Sequence, residues 1–187
     1  MLKALLPLLL CVVPMLAGET EHYPSGQRRD MGQLGFTDQH GKKVQIGDLK
    51  GKVVVVDFWT VWCGPCRRSL PELTALQKQG AAQGTLVVIP CNLDDEYWPH
   101  GVYQFMHKNQ KALDGFTYYR AQIGKNGIAT NLGEDIHAYP TTLIIDRAGR
   151  LAVKWSGYGE GLLIYELNRV MKEPMPEAPP PEAKAQP

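Results

Sequence analysis

The chain has 187 residues, of which 44% are hydrophobic and 21% charged. This is the composition of an ordinary globular protein and excludes a wholly disordered or collagen-like chain. Its 20 Lys and Arg residues balance 19 Asp and Glu residues, which argues against a nucleic-acid-binding protein whose affinity depends on neutralising phosphates. Four cysteines are too few for a disulfide scaffold, so we expect a hydrophobic core to carry the fold.

The two ends of the chain differ in composition from its middle. Residues 1–18 carry one early lysine, an apolar stretch and two small residues at the end, which is typical of a signal peptide. A membrane anchor is the alternative, although a bilayer span needs about 20 apolar residues. Residues 19–32 are polar and predict a linker, and residues 172–187, with six prolines, predict a disordered tail. One folded domain is therefore expected over 33–171.

Within this domain, strand and helix patterns alternate along the chain. Short runs of apolar and β-branched residues predict a hairpin over 35–46 and strands over 52–59, 85–90, 141–146 and 151–155. Helical spacing of apolar residues predicts helices over 63–79, 98–111 and 160–171. The run at 52–59 has almost no polar residue, as in a strand buried on both faces. This order predicts an α/β fold with a mixed sheet.

The sequence Trp62-Cys63-Gly64-Pro65-Cys66 lies where the predicted buried strand ends and a helix begins. Two cysteines separated by two residues can close a small disulfide, and the N–H groups at a helix N-terminus favour the thiolate of the first one. Cys63 is therefore predicted to be the nucleophile, and Cys66 would attack the mixed disulfide and release the product. Pro65 suits the first helical turn, and Gly64 permits close approach by another chain.

The same two cysteines could instead be half of a metal site. Structural zinc takes four ligands, and no second Cys-x-x-Cys or close His pair follows. Cys91, His100 and His107 are the remaining candidates, but the two histidines lie two turns apart on a predicted surface helix and are more typical of ordinary polar residues. We therefore predict no metal site, and Cys91 is interpreted as a small buried apolar residue. A Cu(I) carrier using the reduced thiols is the alternative.

A longer stretch of sequence resembles a known family. The segment VVVVDFWTVWCGPCRRSLPEL is similar to the active-site segment of thioredoxins, and 36–171 resembles their TlpA/ResA-like branch, which is exported to the bacterial envelope. The branch-specific features are the IGDLKGK segment at 46–52, a long insert between Asp94 and Ala138, and Tyr-Pro-Thr-Thr at 139–142 followed by Gly149. The resemblance implies a thioredoxin fold, in which helices flank a central mixed β-sheet. It also implies an N-terminal β-hairpin extension and an insert between the second strand and a cis-proline.

The resemblance also implies which residues bind the substrate. Pro140 matches the family's cis-proline, which lies beside the nucleophile and exposes backbone groups that pair with the incoming chain; a proline at the start of an edge strand is the alternative. Tyr139 is expected to face the sulfur of Cys63 and is bulkier than the residue common at this position. Trp62, with Gly64 and Pro65, is expected to line the docking surface.

A buried acid is the third implied part of the site. Asp57 matches the carboxylate that accepts the proton of the resolving cysteine, here Cys66, and its burial should raise its pKa. A structural ion pair, for example with Lys52, is the alternative. Ser69 stands where relatives of the ResA type often carry Glu, which leaves the proton path to Asp57 alone or to a water.

The function that the resemblance implies is an exported thiol–disulfide oxidoreductase that cycles between a Cys63/Cys66 dithiol and disulfide without a bound cofactor. Expected partners are cysteine-containing envelope proteins, in cytochrome c or copper-site assembly, and a membrane electron donor of the thioredoxin-reducing type. We expect a monomer in the periplasm or cell envelope, free or anchored by its N-terminus, that binds no nucleic acid. The Gly-Pro pair between the cysteines favours the reducing direction; an oxidase or isomerase of protein disulfides is the alternative.

Overall fold

The computed structural model describes residues 19–94, 98–121, 136 and 138–175. Its strands are β1 (Glu21–His22), β2 (Gly35–Asp38), β3 (Lys43–Gln45), β4 (Val53–Trp59), β5 (Leu86–Asn92), β6 (Tyr119–Ala121), β7 (Thr141–Ile145) and β8 (Leu151–Ser156). Its helices are α1 (Gly64–Gln83), α2 (Pro99–Lys108) and α3 (Leu162–Met171). The described strands form one sheet in the order β1-β8-β7-β4-β5-β6-β2-β3. None of the helices in these ranges is both long and apolar enough to cross a membrane.

Strand β4 lies at the centre of the sheet, between β7 and β5. All seven of its residues are buried, as the apolar run in the sequence predicts. It pairs parallel with β5 and antiparallel with β7, so the predicted mixed sheet is confirmed. Side chains alternate between the two faces of a strand, and Val53, Val55 and Trp59 belong to the core that also contains both paired cysteines. Asp57 is two residues from both Val55 and Trp59 and so lies on the same face of β4. Its carboxyl group therefore points into this core, beneath α1.

Helix α1 begins one residue after Cys63 and packs on this core through Leu70, Leu73 and Leu76. Its end differs from the predicted one at residue 79, because Gly80 continues the helix instead of ending it. A Cβ atom at Gly80 would lie 2.5 Å from the backbone oxygen of Leu86, so glycine here lets α1 approach β5 closely. The helix ends at Gln83 and is capped by Gly84, whose φ of 71° is left-handed and whose N–H donates to the Gly80 carbonyl.

The predicted N-terminal hairpin is confirmed as β2 and β3, with Phe36 opposite Val44. Strand β2 also pairs with β6, a short strand for which the sequence has no pattern. Strand β6 and helix α2 both lie in the predicted insert between β5 and the proline at 140. The rest of that insert, at 95–97, 122–135 and 137, lies outside the described residues.

Residues 19–32, predicted as a linker, are instead packed on the domain. Strand β1 pairs with β8, and Met31 is buried in the core on the face of the sheet opposite α1. The guanidinium of Arg28 is buried and donates to the carboxylates of Asp146 and Glu173. These paired charges and strand hydrogen bonds fix a segment that is too polar to show a core pattern. The predicted tail starts at residue 172, but Glu173 within it is also held on the domain by Arg28. Residues 1–18 and 176–187 lie outside the described residues.

Candidate active site

Cys63 and Cys66 are joined by a disulfide with an S–S distance of 2.08 Å, between the end of β4 and the start of α1. Cys63 is the N-cap of α1, and the backbone N–H of Cys66 donates to its Sγ at 3.1 Å. This N–H and the positive end of the helix dipole both stabilise negative charge on that sulfur. Cys66 is completely buried, whereas Cys63 keeps some exposure. The arrangement favours Cys63 as the attacking thiolate.

The loop before β7 brings Tyr139 and Pro140 next to the disulfide. The peptide bond between them is cis, as the resemblance implies. The carbonyl oxygen of Tyr139 lies 3.5 Å from the Sγ of Cys63, and a thiol at Cys63 could donate to it after reduction. The carbonyl of Pro140 accepts a hydrogen bond of 2.7 Å from the N–H of Gly157, which ties this loop to the segment after β8.

Trp62 and Tyr139, which we call the aromatic pair, meet beside the disulfide. The ring centroids lie 5.7 Å apart in an edge-to-face arrangement, and Trp62 is 63% exposed. The carboxylate of Asp94, a residue that the sequence analysis missed, accepts hydrogen bonds from the Trp62 indole N–H and from the Val61 backbone N–H. No local sequence pattern marks Asp94, because its partners are 32 and 33 residues away.

Two further side chains, those of Arg68 and Tyr158, lie near the Pro140 loop. Tyr158 follows Gly157 directly, and the guanidinium of Arg68 on α1 lies 5.5 Å from the centre of its ring. This is a cation–π contact at a partly exposed site. It links α1 to the segment after β8.

Asp57 is 1% exposed, and its Oδ2 accepts a hydrogen bond of 2.7 Å from the hydroxyl of Thr142. Its Oδ1 is buried and has no hydrogen-bond partner among the described residues. Burial raises the pKa of Asp57 from 3.8 to about 7; the bond from Thr142 opposes this rise, and the nearby Glu72 adds to it. Within the described ranges Asp57 forms no ion pair with Lys52. The structure therefore places a carboxyl group that titrates near neutral pH on the side of β4 that faces the cysteines.

Ser69 is buried on α1, one turn after Cys66. Its hydroxyl donates to the carbonyl of Cys66 at 2.8 Å and so serves the backbone of its own helix.

The third cysteine of the described chain, Cys91, lies apart from the disulfide. It is fully buried in β5, opposite Phe58 of β4, and burial raises the pKa of its thiol. His100 and His107 lie on the exposed side of α2, in contact with Gln104 and Tyr103 respectively. In the parts of the chain that the structure describes, no three His, Cys, Asp or Glu side chains are grouped to hold a metal ion.

Residues 20–161 match the Redoxin family. The chain belongs to this family. Among curated relatives, it is 34% identical over 114 residues to the thioredoxin-like protein YneN of Bacillus subtilis, covering 58% of this chain and 59% of YneN. It is 30% identical over 118 residues to the thiol-disulfide oxidoreductase ResA of Bacillus thuringiensis, covering 62% of this chain and 61% of ResA. The chain thus spans about three fifths of the length of these relatives.

A solved structure confirms the predicted thioredoxin fold of this Redoxin-family protein. A DsbF homologue from Corynebacterium diphtheriae superposes with a TM-score of 0.65 at 24% identity, covering 80% of this chain and 92% of that one. The family match begins at residue 20, which agrees with the packing of β1 and Arg28 on the domain.

Proposed function

We propose that this protein is a thiol–disulfide oxidoreductase that exchanges its Cys63–Cys66 disulfide with cysteine pairs of other proteins. The observation that carries the proposal is the position of the Cys63 sulfur, which accepts the Cys66 N–H at the start of α1 and lies beside the carbonyl of Tyr139. The similarity to a relative named thiol-disulfide oxidoreductase supports the same activity.

In the reducing direction, the Cys63 thiolate attacks one sulfur of a substrate disulfide. A mixed disulfide forms, and the other substrate sulfur leaves as a thiolate. Cys66 then gives its proton to Asp57, directly or through a water, and attacks the Sγ of Cys63. The second substrate sulfur leaves and takes up a proton, so the substrate gains two electrons and the Cys63–Cys66 disulfide forms. A carboxylate with a pKa of about 7 can take this proton near neutral pH.

The substrate is proposed to be a polypeptide that lies along the Tyr139–Pro140 loop and over Gly64. A Cβ atom at Gly64 would meet nothing within 4 Å, so a side chain there would project into the space that an incoming chain needs. Pro65 continues this open surface at the first turn of α1, and the aromatic pair borders it. The backbone of Tyr139, next to Cys63, offers hydrogen bonds of the β type to the substrate.

We further propose that the protein works in the reducing direction in the cell envelope, without a bound cofactor. The signal-like residues 1–18 support export, and the Gly-Pro pair between the cysteines supports a reducing couple. Substrates of this kind are cysteine pairs of envelope proteins, such as those used in cytochrome c or copper-site assembly, and a membrane electron donor would return the disulfide to the dithiol.

The test uses the Cys66→Ser variant, which keeps the attacking sulfur and lacks the resolving one. Mixed with insulin as a model disulfide substrate, it should accumulate a covalent 1:1 adduct that dithiothreitol cleaves, measured by mass spectrometry. Cys63→Ser should form less than about a tenth of this adduct, because the sulfur favoured by the helix N-terminus is gone. The buried Cys91→Ala variant is the matched control and should turn over like wild type.

Equal trapping by Cys63→Ser and Cys66→Ser would show that the order of the two cysteines is wrong. No adduct with either variant would reject the exchange mechanism and favour the copper carrier. With the mechanism established, the same Cys66→Ser variant is expressed in the source's envelope, and acid quenching after the reaction preserves its adducts with the natural partners.

A further inference from the structure

Asp94 clamps the turn that precedes the reacting cysteine. One of its carboxylate oxygens accepts the Val61 backbone N–H at 2.6 Å, and the other accepts the Trp62 indole N–H at 3.1 Å. Both donors belong to the short connection between β4 and Cys63. A single side chain from the end of β5 thus holds both the backbone and the exposed ring of this connection.

The backbone around Asp94 is itself fixed. The N–H of Leu93 donates to the carbonyl of Trp59 at 3.0 Å, which continues the β4–β5 pairing past the last paired strand residues. The Asp94 N–H is held by the side-chain oxygen of Asn92 at 2.9 Å, and the Asp94 carbonyl accepts the N–H of Trp98. The carboxylate is therefore presented from a rigid position, as a positioning group must be.

Trp62 needs such a partner because most of its surface is exposed. An exposed side chain without fixed contacts populates several rotamers. The indole N–H bound to Asp94 and the ring edge against Tyr139 together define one orientation. In that orientation the aromatic pair forms an apolar surface next to the Cys63 sulfur, which itself lies 3.5 Å from the Tyr139 carbonyl.

We propose that Asp94 is a positioning residue that fixes the aromatic pair as a preformed binding surface for polypeptides with an apolar residue beside the reacting cysteine. The inference rests on the proposed exchange with protein disulfides. Asp94 bonds the turn and the indole, and no contact of its carboxylate with either cysteine is among those described. Its removal should therefore weaken polypeptide binding and leave the sulfur chemistry intact.

The experiment compares Asp94→Ala with wild type on three disulfide substrates. Two are peptides that differ only in a Leu or a Ser next to the cysteine, and the third is bis(2-hydroxyethyl) disulfide, a small disulfide without an aromatic or large apolar group to contact the aromatic pair. We expect the KM of Asp94→Ala for the Leu peptide to rise about tenfold, because an apolar contact is lost from binding. The KM for the Ser peptide should change by less than about twofold, and kcat and the rate with the small disulfide should stay near wild type.

Two further variants show whether Asp94 acts through the indole. Trp62→Phe keeps an aromatic ring and removes the N–H donor, so it should reproduce the Asp94→Ala effect, and the double variant should lose nothing more. Asp114→Ala is the matched control, because the Asp114 side chain is 84% exposed and its one bond among the described residues is to Lys78, at 3.4 Å. If Asp94→Ala does not fold, Asp94→Asn takes its place, since its amide oxygen can replace only one of the two carboxylate bonds.

A wild-type KM in the Asp94 variant, or an equal loss for the Leu and Ser peptides, would overturn the inference. So would a full further loss on adding Asp94→Ala to Trp62→Phe, since Asp94 would then act through the Val61 backbone. A wild-type protein that fails to reduce the small disulfide would instead overturn the proposed function, so the two failures are distinguishable.

Discussion

Burial of the Asp57 carboxyl group suits it to accept a proton near neutral pH and also lowers the free energy of unfolding at that pH. Its pKa rises to about 7 in the folded protein, chiefly because burial disfavours the charged form. Between pH 4 and 7 the folded protein therefore holds a proton that the unfolded chain releases. The free energy of unfolding therefore includes the full contribution of protonated Asp57 below about pH 4, and this contribution is lost as the pH rises through about 7. A rise in pKa from 3.8 to about 7 corresponds to about 4 kcal/mol.

Asp57→Asn should remove this loss, because the amide has a similar volume and does not titrate. We expect the oxidised variant to be more stable than wild type at pH 8, by up to about 4 kcal/mol, and nearly equal at pH 4. Urea unfolding of the oxidised proteins from pH 4 to pH 8 measures the difference. The exposed Asp114→Asn is the control and should follow the wild-type profile. An Asp57→Asn profile parallel to wild type would mean that the Asp57 carboxyl titrates like an exposed one.

The same variant separates structure from catalysis at this residue. Without a carboxylate to take the proton of Cys66, release of substrate from the mixed disulfide should slow, although the fold is more stable. Stability and turnover therefore move in opposite directions, which a merely structural carboxyl group would not produce.

At the scale of elements, the N-terminal segment is held by charge rather than by apolar surface. The guanidinium of Arg28 bonds Asp146 at 3.0 Å and both carboxylate oxygens of Glu173 at 2.6 and 2.7 Å, and its Nε donates to the carbonyl of Tyr23. It thus joins the segment after β1, the turn between β7 and β8, and the end of α3. Because the Arg28 and Asp146 side chains are almost fully buried, each needs the other to offset the loss of water.

Arg28→Met should destabilise the protein by about 3 kcal/mol, because it breaks the buried pair with Asp146 and the two bonds to Glu173, although Arg150 still bonds Asp146 at 3.3 Å. The loss should show in the urea midpoint at pH 7. Arg29→Met is the matched control: it is the next residue, its side chain is exposed, and its backbone carbonyl still accepts the N–H of Leu151. A loss below about 1 kcal/mol would place Arg28 among ordinary surface ion pairs.

Elements with a dense local pattern could be predicted from the sequence, and elements held by distant partners could not. The run of seven buried residues in β4 and the leucines of α1 carry their own signal, so both were predictable within a few residues. Strands β1 and β6 have two and three residues and no apolar periodicity. They exist because β8 and β2 offer hydrogen bonds, and β1 because Arg28 anchors the segment that follows it.

The same distinction applies to the site. Cys63, Cys66 and Asp57 lie within ten positions of one another, and their spacing is readable from the sequence. Thr142, which bonds Asp57, is 85 residues away from it, and Asp94 is 32 residues from Trp62. Contacts over such separations are set by the strand order, which brings β5 and β7 to either side of β4.

For the whole molecule, the two cores on either face of the sheet carry the fold and the disulfide adds little. The Cys63–Cys66 bond has a sequence separation of three, and closing so small a loop stabilises a protein by about 2 kcal/mol in the chain-entropy description. The cores contain most of the buried apolar side chains on both sides of β4. The protein should therefore stay folded in both redox states, as repeated cycling between disulfide and dithiol requires.

The difference in stability between the two states also reports the direction of the reaction. A disulfide that is more stable in the folded protein than in the unfolded chain is harder to reduce there, whereas a strong oxidant has a more stable reduced form. We expect the free energy of unfolding of the oxidised protein to exceed that of the reduced protein by up to about 2 kcal/mol at pH 7, because the disulfide lowers the entropy of the unfolded chain. The helix N-terminus stabilises the Cys63 thiolate of the reduced protein and so makes this difference smaller. Urea unfolding with and without dithiothreitol measures this, and the Cys63→Ser, Cys66→Ser double variant should not respond to the reductant. A more stable reduced form would reverse the proposed direction and make the protein an oxidant of its partners.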